Sequence, residues 1–128
     1  MKNKLSILTS FSARTVGGQA SSAQDWRKGW EAYNIGDYKT AFEEWRPLAE
    51  QGNARAQGML GFMYEHGKGV PQDYVSTHMW YNIAASQGEA LAAKSRDDLA
   101  EQMTPAQIAE AQRMARDCVA KNLKDCWL

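Results

Sequence analysis

Residues 53–88 read NARAQGMLGFMYEHGKGVPQDYVSTHMWYNIAASQG, and this stretch decides the fold. Parts of it are echoed in its flanks at an offset of 36 residues. Asp73-Tyr74 repeats Asp37-Tyr38, Ala85 repeats Ala49, and Gln87-Gly88 repeats Gln51-Gly52. Ala90 and Ala92 likewise repeat Ala54 and Ala56. Self-similarity at a period of this size marks stacked supersecondary units, each too small to bury its own apolar face. Such an array presents a surface and rarely assembles a catalytic pocket, so the first functional expectation is a binding module.

Within the stretch, Ala54 to Glu65 reads as a helix on an Ala56, Leu60, Tyr64 ridge. Gly61 on that helix lets a neighbour approach closely. The loop Gly67-Lys68-Gly69-Val70-Pro71 ends it. Asp73 then caps a further helix carrying Met79, Trp80, Ile83 and Ala84, which stops at Gln87-Gly88.

Upstream, Asp25 to Asn34 spaces Trp26, Trp30 and Tyr33 along one helix side, and Ile35-Gly36 makes the turn. Asp37 caps the next helix, whose stripe is Tyr38, Ala41, Phe42, Trp45, Leu48 and Ala49. Pro47 inside it removes one backbone donor and predicts a kink, not a break. Downstream, Glu89 to Gln102 is a more polar helix. The last one has Thr104 as N-cap, Pro105 at the first helical position and Gln107 to close a capping box. Its stripe is Ile108, Ala111, Ala115, Cys118 and Val119. The expected fold is all-α: six helices paired as three antiparallel hairpins, first with second, third with fourth, fifth with sixth. Trp45, Leu60, Tyr64 and Trp80 should be buried between them.

The chain has 128 residues, enough for one domain with a modest core. Fifteen basic and fifteen acidic residues give a formal net charge of zero. That removes the usual electrostatic argument for nucleic acid. No apolar run approaches the roughly 20 residues that a membrane span needs. The beginning has two readings. Met1-Lys2-Asn3-Lys4 and Ser21-Ser22-Ala23 look like the ends of a signal peptide, but Thr9, Ser10, Ser12 and Arg14 interrupt its apolar middle. Residues 1–23 are thus a weak or altered signal peptide or a disordered tail, and residues 24–128 are the folded domain.

Gly52-Asn53-Ala54-Arg55-Ala56-Gln57, Leu60-Gly61, Tyr64, Gly67-Lys68-Gly69-Val70, Asp73, Trp80-Tyr81, Ala84-Ala85 and Gln87-Gly88 together resemble the Sel1-like repeat. One full repeat spans Asn53 to Gly88. Gly29, Gly36-Asp37-Tyr38, Ala41 and Trp45 look like a degenerate repeat leaning towards the tetratricopeptide pattern. After Ala92 the pattern fades, with Arg96 and Asp97 where Leu-Gly would stand, so the fifth and sixth helices are expected to be a C-terminal cap. The resemblance implies a short right-handed α-solenoid that mediates protein–protein contacts, commonly in bacterial signalling, envelope and secretion settings. It implies no cofactor.

Cys118 and Cys126 are the sharpest chemical feature. On one continuous helix they would lie about 12 Å apart, too far for a disulfide. Bridging them needs the helix to stop near Asn122 and the chain to fold back, bringing Trp127 onto the domain. The other reading is two reduced, buried thiols in a cytosolic protein. The spacing resembles the cysteine pairs of secreted, cysteine-rich Sel1-like proteins, in which every repeat carries a pair. His66 and His78 have no partner at metal-ligand spacing and read as surface histidines, so no metal is expected. Asp97 and Asp98 are adjacent and point to different sides of a helix. The Gly67-Lys68-Gly69 loop lacks the full spacing of a phosphate loop.

The resemblance puts the first helix of each hairpin on the concave side, where Arg27, Glu31, Arg55, Met59, Phe62 and Lys94 are the expected partner-binding residues. An outward Met and Phe would suit an apolar anchor in a peptide groove. The partner is expected to be a protein or peptide, met in the periplasm or outside the cell if the cysteines are bridged, and in the cytoplasm otherwise. Some cysteine-rich relatives are linked to β-lactam binding or hydrolysis, which makes a weak hydrolase the rival expectation. Against it, no nucleophile–base pair can be named, and the reading is that of a non-enzyme.

Overall fold

The computed structural model describes residues 26–126, and every regular element among them is a helix. Helix α1 occupies residues 26–34, α2 Tyr38–Glu50, α3 Ala54–His66, α4 Tyr74–Ser86, α5 Ala90–Ala100 and α6 Pro105–Ala120. The segment 1–23 and Trp127, on which the sequence raised a signal peptide and a docked tail, lie outside the described residues.

Short polar side chains set the boundaries by accepting bonds from the otherwise unpaired first amides of each helix. Asp37 accepts from the Thr40 amide and Asn53 from the Ala56 amide. Asp73 takes the amides of Val75 and Ser76. At α6 the Thr104 hydroxyl accepts from the Gln107 amide at 3.1 Å while the Gln107 side chain accepts from the Thr104 amide at 2.9 Å, a complete capping box. Pro47 lies within α2 without ending it.

The helices form a short α-solenoid with α4 at its centre, packed against α3, α5 and α6, while α2 packs on α3. Trp45, Leu48, Leu60, Met63, Met79, Trp80 and Ile83 share one core. The first hairpin is an aromatic joint. Trp26 stacks on Trp45 with centroids 4.9 Å apart, and the Trp45 indole donates to the Trp26 carbonyl at 3.2 Å. One buried polar link sews the next units together: the Gln57 amide donates to the Ala49 carbonyl of α2, and the Gln87 amide beyond α4 donates to Gln57.

The structure differs from the sequence reading at four places. Helix α6 makes its close approach to α4 and not to α5, because α5 buries only Ala92 and Leu99 and has no apolar stripe to offer. Tyr64 is half-buried, its ring edge-on to Phe42 at the α2–α3 seam. Val119 points outward, 54% exposed, since the stripe of α6 runs through Ala111, Ala115 and Cys118. His78 is buried and not on the surface, because α4 is covered on three sides and shows almost no outer face.

The chain leaves α6 through Asn122, at φ 58°, where the sequence placed the stop, and Leu123 and Asp125 are also left-handed. This returns Cys126 to Cys118 with Cα atoms 4.9 Å apart and the two sulfurs in disulfide position. Leu123 and Cys126 join the main core there.

Candidate functional site

A trough of about 350 Å³ opens between α3 and α5. It exists because one wall is large and the other small. Met59 and Phe62 stand on α3 beside Gly58, while α5 sets the small Ala92 and Ser95 opposite them and Leu91 at the edge. Leu91 stands at the mouth, 71% exposed, with Met59 and Phe62 half-buried below. A volume near the lower end of the range for ligand sites suits a few apolar side chains.

Tyr81 of α4 forms part of the floor. Its hydroxyl donates to the Glu65 carboxylate at 2.7 Å. Burial, then this bond and the Glu65 charge, push the phenol far above its ordinary range, so it stays a neutral donor that holds the ring in place. Arg55 and Glu89 occupy the rim. The Arg55 guanidinium lies over the Trp26 ring, 4.3 Å from its centroid, which ties the trough to α1. A second hollow of about 290 Å³ beside Cys118 and Cys126 is walled by Glu110, Arg113, Asp117 and Lys121. Its charged walls make it a poor seat for an apolar anchor.

Of the six residues expected to bind a partner, the trough brings together Arg55, Met59 and Phe62. Lys94 is exposed on α5 in an ion pair with Asp98 at 2.9 Å and does not line it. Arg27 and Glu31 are exposed on α1, also outside it. Tyr81, Glu89, Leu91 and Ser95 were not anticipated. The repeat offset carried a signal for two of them, since Leu91 stands 36 residues after Arg55 and Ser95 36 residues after Met59. Among the described residues, no three His, Cys, Asp or Glu side chains gather as a metal site requires, and no helix is long and apolar enough to cross a membrane.

A family model for the Sel1 repeat matches residues 54–89, the α3–α4 hairpin and the turn after it. The chain carries a Sel1 repeat there. No curated protein matches the chain. Among solved structures it is similar to that of c5321, a protective antigen present in uropathogenic Escherichia coli strains that displays an SLR fold, at 26% identity and a TM-score of 0.74. The match covers 89% of this chain but 26% of that one, so this chain spans about a quarter of the antigen's length.

The motif residues of this Sel1 repeat mostly build the frame. Leu60 is fully buried, and Gly69 sits so close to the backbone of Tyr38 that a Cβ there would meet the Tyr38 carbonyl oxygen at 2.6 Å. The trough is lined instead by Met59, Phe62, Leu91 and Ser95, none of which belongs to the quoted repeat motif.

Proposed function

We propose that this Sel1-like module is an adaptor that seats an extended segment of a partner protein in the α3–α5 trough. Repeats of this type generally serve protein–protein interaction. The observation that carries the reading is the trough itself, where Met59, Phe62 and Leu91 leave apolar surface open at one concave place. An anchor side chain burying there would supply the localised binding energy typical of hot spots.

Immobilised protein incubated with extract of its native cells tests this. Leu91→Asp should lose the captured partner. Val119→Asp, which changes another exposed apolar residue, on α6, should keep it. Loss in both variants, or in neither, would place binding elsewhere.

Export to an oxidising compartment of the cell envelope is a further part of the proposal. It is supported by the bonding geometry of Cys118 and Cys126 and by the basic start Met1-Lys2-Asn3-Lys4. Mass spectrometry after alkylation, on protein taken from its native source without reductant, should find both cysteines blocked. Two freely alkylated thiols would refute it.

A further inference from the structure

The rim of the trough carries information about what the partner segment looks like. Arg55 makes no ion pair among the described residues. Three other cations are committed: Lys94 to Asp98, Arg113 to Asp117, and Arg96 to Asp97 and Asn82; what sets Arg55 apart is that it lines the trough. The first turn of α3 contains no acidic residue that could turn towards Arg55. The Trp26 ring lies against the guanidinium, 4.3 Å from ring centroid to its central carbon, and a planar fork so placed can still offer N–H groups to a carboxylate.

We propose that the trough recognises a peptide segment in which a carboxylate side chain adjoins a large apolar one, the carboxylate on Arg55 and the apolar side chain on Met59, Phe62 and Leu91. The inference rests on the trough being the docking site. Charge complementarity selects this occupant over a basic one. A lysine beside the anchor would meet an unneutralised guanidinium, whereas an acidic side chain meets an oppositely charged partner. Glu89 on the α5 wall sets direction, because it repels a second carboxylate on that side. Met59 gives the floor enough adaptability to accept leucine, methionine or phenylalanine.

The test uses the full chain labelled with ¹⁵N and two capped heptapeptides, one with leucine followed by glutamate and one with leucine followed by lysine. The amides of Gly58, Met59, Phe62, Leu91 and Ser95 should shift with the glutamate peptide. The lysine peptide should bind about twofold to fivefold more weakly, in keeping with an exposed charge pair. Arg55→Glu, at an exposed position, should leave the rest of the spectrum in place and reverse the order of the two peptides. Equal binding of both in the trough would overturn the acidic preference while leaving the trough as the docking site. No shifts in the trough with either peptide would overturn both.

Discussion

Gly61 lies directly against the face of Tyr81: a Cβ built on Gly61 would come within 2.6 Å of the Tyr81 ring. The α3–α4 hairpin closes at this point, and the same ring forms part of the trough floor. Scaffold and trough therefore share one contact.

Gly61→Leu should overpack that contact and destabilise the domain by about 1–3 kcal/mol or more. Tyr81 cannot swing away without leaving the Glu65 carboxylate. Chemical denaturation of the variant against the native chain checks this. An unchanged midpoint would mean that Tyr81 moves at no cost.

Gln57 offers a second probe of how the units are joined. It is fully buried, its amide bonded to the Ala49 carbonyl and its carbonyl receiving the Gln87 amide. Gln57→Leu keeps the bulk but strands both partners, so a loss of about 1–3 kcal/mol is expected. A doubly substituted Gln57→Leu, Gln87→Leu chain should recover part of that loss. Strict additivity in the double-mutant cycle would show that the two glutamines do not act together.

The frame was legible in the sequence because caps and stripes act locally. Asp37, Asp73 and Thr104 mark their helices whatever packs around them, and Trp45 and Trp80 are too apolar to lie outside. The trough was only half legible. Met59 and Phe62 stand out as large residues off the core ridge, but Leu91 becomes a wall only through the placement of α5 against α4. His78 was misjudged for the same kind of reason. Helix α4 has no continuous polar face, yet its centrality depends on α6 choosing α4 over α5, which no local pattern records.

The buried histidine makes the domain sensitive to acid. His78 is 3% exposed, and its Nδ1 has no hydrogen-bond partner. Burial and the Arg96 charge lower its pKa below the ordinary value near 6.5, with Asp97 opposing more weakly. Above that value both folded and unfolded chains hold the ring neutral and stability is complete. As the pH falls below it, the unfolded chain takes up a proton that the folded one refuses, so stability declines until the lowered value is passed. Denaturation at about pH 7.5 and about pH 5 should show a larger drop for the native chain than for His78→Gln. Equal drops would mean that the ring reaches water or a partner on protonation.

The C-terminal loop should behave as a local staple. Asn122, Leu123 and Asp125 all hold left-handed backbone, a conformation that costs non-glycine residues roughly 1–3 kcal/mol each where the surroundings do not enforce it. Two things enforce it here: the Cys118–Cys126 link and the packing of Leu123 and Cys126 on the core. Closing so short a loop contributes about 2–3 kcal/mol in the chain-entropy picture. Removing the link by Cys118→Ser with Cys126→Ser should free residues 121–126 to leave the left-handed region. Hydrogen exchange should then accelerate in that loop and the last turn of α6, while Leu60, Met79 and Trp80 keep their protection, since α3 and α4 also pack directly on each other. Equal loss of protection across α3 and α4 would show instead that the loop supports the whole solenoid through Cys118, which shares their core.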